Sequence, residues 1–412
     1  MPAKNTPYII AIGLVTILVV GFWGWGKSAE APATSTDTQV TEGQAAGTPA
    51  EGVNSPTLAL SPTPIVPGVR PTTPTPKTPA PAPTPTASTG RKAPEIVGGT
   101  FFINSMNDPV KMANYKGKKV VLLEFWTYSN INSRRTIPYL NEWYRKYREK
   151  GLEIVAVHTP EFDFEKDHTM VKNVSTDYGM AYPIVVDNNG ATSKAYGNNN
   201  WPHYYLIDID GNIAYDHVGE GSYETAETIM KKLLRDRAAR LGEKTTVDGE
   251  LAVPAGAIAI DVTKIKTPEL YFGASKNTRM GNGAKSTVGM QTLTLPGITL
   301  PSTFTLGGTW NWDYQYAETK TDKATFTVHY EAKRVYGVFA APKPIRVVVT
   351  RDGAPLGAAA GKDVTVEKGE SVIYVQAGRL YDVVNDAAGY GEHELEFTVD
   401  TPGLKVYVIR FG

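Results

Sequence analysis

The side chains that could do chemistry in this 412-residue chain are defined first by an absence: there is no cysteine, so neither a thiolate nor a disulfide can form, and the strong zinc patterns are excluded. The stretch EFWTYSNINSRRTIPYL, Glu124 to Leu140, concentrates what remains. Glu124 is an acid in an otherwise apolar run, where burial raises a carboxyl pKa toward the range useful for proton transfer. Ser133 carries a hydroxyl that needs an adjacent base to become a nucleophile. Its expected place at the start of a helix favours a role as N-cap. Asn130 carries an amide, which is no nucleophile at neutral pH. The six histidines, at 158, 168, 203, 217, 329 and 393, form no HExxH or H-x-H cluster, so no metal site and no cofactor are expected. Asp313, Asp382 and Asp386 suit turns and surface better than a structural calcium. Farther on, Trp310, Trp312, Tyr314 and Tyr316 alternate and would project from one face of a strand. Exposed, they form a candidate stacking platform for sugar rings; buried, they are core.

Two sets of elements must position these residues. VVLLEFW, Val120 to Trp126, reads as a central buried strand, and RRTIPYLNEWYRKYREK after it as an amphipathic helix. LEIVAVH, YPIVVD and YYLIDIDGNIAYDHV supply further strands, the last a hairpin turning at Asp210-Gly211. YETAETIMKKLLRDRAARLG closes the unit as a helix ending at Gly242. The expected unit is a three-layer α/β domain over 95–242. From 255 to 412 the chain changes to short alternating runs separated by turn residues, the pattern of an all-β sandwich of jelly-roll kind.

Upstream lie two segments of different character. Tyr8 to Gly26, YIIAIGLVTILVVGFWGWG, runs without a charge at about the length needed to cross a hydrocarbon layer. Residues 1–30 are therefore expected to be a membrane anchor or signal. Lys4 before the run places the start in the cytoplasm and the later domains outside; cleavage near Ala29-Glu30-Ala31 would export them equally. Residues 31–94 are rich in Pro, Thr and Ala, form no core, and are expected to be a disordered, semi-stiff tether of up to about 200 Å at ~3.1 Å per residue. With 42 basic against 42 acidic side chains, nothing points to nucleic acid.

The α/β part resembles extracytoplasmic thioredoxin-like domains of the TlpA and DipZ type. Glu124 stands where such domains keep a buried acid, Pro138 where their active-site helix is kinked, and Trp201-Pro202 where they carry a cis-proline. HTPEFDFEKD, from His158, together with FGASK near Tyr271, RLYDVV and the closing GLKVYVIRFG, is similar to DipZ-type proteins, in which a carbohydrate-binding-module-like domain follows. The resemblance implies a thioredoxin-like fold with thiol:disulfide oxidoreductase activity, yet the two cysteine positions lie in Asn130-Ile131-Asn132-Ser133 and hold no sulfur. Exchange requires an attacking and a resolving thiol. What the resemblance leaves is a peptide groove beside the loop, formed by Trp126, Tyr128, Ser129, Glu161, Trp201, Pro202 and His203, with Glu161 near the former dithiol and Trp201-Pro202 expected to be cis. The expected function is a membrane-anchored, redox-inactive protein binding an envelope protein, peptide or cell-wall glycan. The alternatives are a cysteine-free variant of an oxidoreductase and a structural envelope protein that grips glycan.

Overall fold

The structure, a computed structural model, describes residues 90–412 apart from Asn107. The segment Tyr8 to Gly26 and most of the Pro/Thr-rich stretch lie outside the described residues. Among the described residues no helix is long and apolar enough to cross a membrane.

All seven side chains of β2 (Val120–Trp126) are buried, because the strand lies in the middle of a sheet covered on both faces. Around it stand β1 (Phe101–Ile103), α1 (Ile131–Tyr147), β3 (Leu152–His158), α2 (His168–Asp177), β4 (Ile184–Val186), α3 (Ala191–Tyr196), β5 (His203–Ile207), β6 (Ile213–Val218) and α4 (Tyr223–Leu241). The sheet order is β1-β4-β3-β2-β5-β6. β2, β3 and β4 run parallel, while β5 and β6 are an antiparallel hairpin on β2. The sequence reading names neither β1 nor α3, both too short to carry a periodic signal. Alternation along β2 sends Val120, Leu122 and Trp126 toward Ile137, Leu140 and Trp143 of α1 and Met230 and Leu234 of α4. Val121, Leu123 and Phe125 enter the core on the opposite face. Glu124 has the parity of Leu122 and Trp126, so the fold places an acid on the α1 side of the sheet.

Among the described residues, the strands from Leu270 onward form one large antiparallel sheet. Its central run passes through Ile345–Arg351, Gly391–Val399, Ala324–Ala332, Phe304–Trp312, Ala317–Thr319, Lys405–Phe411, Arg334–Ala340 and Arg379–Asn385. The sheet folds over so that both ends share one core: Phe326 stacks on Phe397 at 4.3 Å, and Phe339, from the other half, meets Phe326 edge-on at 6.3 Å.

The outer face of three of these strands is also buried, against the α/β part. In the pairing of Arg334–Ala340 with Lys405–Phe411, Val338 faces Val408 and Phe339 faces Val406, so Tyr407 is an extra, bulged residue. The bulge lets Tyr407 and Val408 both leave the sandwich core and join Tyr336, Val338 and Leu380 around Ile131 and Phe162. Phe164 meets Tyr407 edge-on at 4.9 Å.

Candidate functional site

At the C-terminal end of β2 the chain turns into α1, and Asn130 makes that turn. Its backbone is extended, at φ −92° and ψ 118°, and its Oδ1 accepts from the backbone N–H groups of Asn132 at 2.9 Å and Ser133 at 3.4 Å. The N-cap is therefore Asn130, correcting the expectation for Ser133. Both residues are capping types, and the helix begins three residues earlier than expected. Ser133 lies within the first turn, fully buried, and its Oγ has no hydrogen-bond partner. Among the described residues no base is hydrogen-bonded to it to make it a nucleophile.

Glu124 is fully buried. Desolvation lifts its pKa from 4.5 to about 8, with the Thr136 contact holding it back. Thr136 Oγ1 lies 2.5 Å from Glu124 Oε1 and 2.7 Å from the Ser133 carbonyl oxygen. A hydroxyl has one proton and cannot donate to both. At neutral pH the protonated carboxyl donates to Thr136, which donates to the Ser133 carbonyl. The acid thus reaches the motif through Thr136 and touches no reactive atom.

Two residues the sequence reading passed over hold the loop in place. Glu165, fully buried, accepts from Thr127 Oγ1, from the Ser129 N–H at 3.2 Å, and from the Glu161 and Phe162 N–H groups at 2.6 and 3.0 Å. It ties the loop after β2 to the loop after β3, and burial raises its pKa against these donors. His158 stacks on Tyr128 at 5.5 Å, and its Nε2 lies 3.4 Å from the Tyr128 N–H. Burial lowers its pKa to about 3, so the ring is neutral. The only sequence signal for Glu165 is an acid directly after the second aromatic residue of FDFEKD.

The expected groove residues do not line an open groove. Trp126, Tyr128 and Ser129 have no exposed surface, and Pro202 and His203 are buried. Tyr128 is covered in part by the β domain: its Oη lies 3.3 Å from the Phe164 carbonyl oxygen and 3.4 Å from that of Gly378, with one proton for either. The Trp201-Pro202 bond is cis. His203 pairs with Phe125 and shares its face, away from α1; its Nδ1 lies 2.8 Å from Asn198 Oδ1, and burial lowers its pKa. Glu161 is not beside a reactive centre. It closes an ion cluster across the domain seam, where Arg410, without exposed surface, reaches Glu161 and Glu269 at 2.5 Å each. Tyr271 Oη lies 2.7 and 2.8 Å from the same two carboxylates and donates its one proton to either.

The aromatic stripe is corrected as well. The strand ends at Trp312, and the chain turns through Asp313–Tyr316, with the Asp313 N–H donating to the Tyr316 carbonyl at 2.9 Å. Trp310 and Trp312 are core; the Trp310 indole donates to the Gly307 carbonyl at 3.0 Å and meets Phe326 edge-on. Tyr316 packs on Tyr407, and only Tyr314 is exposed. The four rings therefore present no common platform. Among the described residues no group of three or more His, Asp or Glu side chains is placed to hold a metal ion.

Comparison with known proteins fits this geometry. Residues 88–234 match the Redoxin family, and residues 267–412 match the family described as thioredoxin like C-terminal domain. Thiol-disulfide oxidoreductase ResA of Bacillus thuringiensis (strain 97-27) is 33% identical over 144 residues, which are 35% of this chain and 78% of ResA. The chain belongs to the redoxin family of thioredoxin-like proteins. Protein DipZ of Mycobacterium tuberculosis (strain CDC 1551 / Oshkosh) is 38% identical over 266 residues, 64% of this redoxin, which spans 37% of DipZ's length. A solved thioredoxin-like protein in its oxidized form matches 35% of this chain and 96% of its own at 27% identity, with a TM-score of 0.33. The sequence of this redoxin holds no cysteine.

Proposed function

We propose that this redoxin is a membrane-tethered, extracytoplasmic and redox-inactive binding protein, whose partner is a protein or glycan of the cell envelope. The carrying observation is the absence of cysteine from the sequence, beside the structural roles of Asn130, which caps α1, and Ser133, buried in its first turn. Thiol-disulfide exchange has no attacking group here. The uncharged run Tyr8 to Gly26 and the Pro/Thr-rich stretch support the tether and the location outside. The resemblance of the C-terminal β domain to jelly-roll carbohydrate-binding modules supports a glycan among the partners, although Trp310 and Trp312 take no part in reading it.

The test is turnover. Pure, intact protein is expected to show no insulin reduction and no refolding of a scrambled disulfide substrate, while fractionation leaves it with membranes and protease added to intact cells digests the β domain. Turnover above background refutes the redox-inactive reading; recovery in the cytosolic fraction refutes the tether.

A further inference from the structure

We infer that the cleft along the domain seam, beside the first turn of α1, binds a ligand that carries a carboxylate on an apolar body. This rests on the binding-protein reading and names the chemistry of its ligand. The cleft is open to solvent and has a volume of about 490 Å³, the size of a small-ligand site. Asn132 and Arg135 of α1 wall it on one side, and the stretch from Val262 to Glu269 with Arg279 and Phe411 on the other, so neither domain makes it alone.

Its charges settle the sign of the ligand. Arg135 Nε and Nη2 bind Glu220 at 2.7 and 2.6 Å, so that pair cancels, while Glu269 shares Arg410 with Glu161 at 2.5 Å each. Lys266 and Arg279 are left over. Both are exposed, and among the described residues neither has a carboxylate partner: Lys266 Nζ donates to the Thr263 carbonyl at 2.6 Å and Arg279 Nη1 to the Ser302 carbonyl at 3.4 Å. Asn132 Oδ1 is taken by Arg135 Nη2 at 2.6 Å, so the amide offers the cleft only its N–H groups. A cation would meet two exposed cations against the Glu269 carboxylate, whose two oxygens are already engaged by Arg410 and Tyr271. An anion meets both exposed cations, over a wall that includes Ile265, Pro268 and Phe411. An apolar body covers that wall while the carboxylate faces the cations at the rim.

Such a ligand could be the carboxyl end of a peptide or a fatty acid, and the test separates them. Calorimetric titration of the full chain uses acetyl-Ala-Leu-Phe with a free carboxyl group, the same peptide amidated, and octanoate. The free acid is expected to bind at least about tenfold more tightly than the amide, with the preference shrinking as salt rises. Lys266→Gln and Arg279→Gln should each weaken it about two- to fivefold, the yield of an exposed charge pair. The double variant should lose the preference for acid over amide, while Lys172→Gln on α2 leaves it unchanged. Octanoate binding as well as the free-acid peptide assigns recognition to any apolar carboxylate. Equal binding of acid and amide, no binding at millimolar concentration, or an undiminished acid preference in the double variant overturns the inference. Any of these with insulin reduction still absent leaves the redox-inactive reading standing.

Discussion

Glu124 makes the stability of this redoxin fall as pH rises, and Glu124→Gln isolates the effect. The folded carboxyl titrates at about 8, against 4.5 for the ordinary side chain. Between those values the folded state holds a proton that the unfolded chain has released, so unfolding becomes easier as pH increases through this window. At ~1.4 kcal/mol per pH unit, the interval from pH 5 to 8 carries ~4 kcal/mol for this fully buried group. Glutamine is neutral throughout, and its amide can donate to Thr136 Oγ1 where the protonated acid does. The assay is urea unfolding of wild type and variant at pH 5, 6, 7 and 8. Other buried acids, Glu165 among them, act on both proteins and cancel in the difference. The variant should gain on wild type by ~4 kcal/mol from pH 5 to pH 8, whatever its offset at pH 5. His158 works at the acid end: its folded pKa of about 3 lies below the ordinary 6.5, so its contribution is lost as pH falls from 6.5 toward 3, equally in both proteins. A stability difference that stays flat from pH 5 to 8 would show that Glu124 is already ionised in the folded protein and refute the reasoning.

Three further outcomes are expected. Trp310→Ala should cost about 3–5 kcal/mol, as for any large buried ring, and Tyr314→Ala within about 0.5 kcal/mol; a stable Trp310 variant in thermal melts would return the stripe to the surface. Glu161→Ala strips the enclosed Arg410 of one of its two carboxylates and should cost about 3 kcal/mol, splitting the calorimetric transition of the two domains; an unchanged single transition would count against the ion cluster as the seam's anchor. In the double variant Asn130→Cys, Ser133→Cys, the new thiols replace side chains of 4% and 0% exposure, so Ellman's reagent should react on the order of 100-fold more slowly with the native protein than in denaturant. Rapid native reaction would mean that the seam opens.

Much of the α/β fold was legible because its signals are local. Seven consecutive residues able to bury themselves make β2, an amphipathic run makes α1, and Asp210-Gly211 turns the hairpin, with Gly211 at φ +79°. The acid in β2 and the sulfur-free positions 130 and 133 could be singled out for the same reason. The C-terminal strands were legible as strands, from alternation. Alternation tells which residues share a face but not which face is core, so Trp310 and Trp312 could be placed only by the sheet that folds over them. Choosing Asn130 over Ser133 as cap depends on where the first helical turn starts, which two good capping residues three positions apart leave open. The covered groove depends on contacts no local pattern carries. Glu161 meets Arg410 across 249 residues, and a single bulged residue, Tyr407, turns the outer face of a strand toward Ile131 and Phe162. Sequence by itself determined that this redoxin has no thiol chemistry, because reactivity resides in atoms the chain lacks. Only the tertiary structure decided that Tyr128 and Ile131 are covered by the β domain, because burial belongs to pairs of surfaces and neither surface encodes it alone.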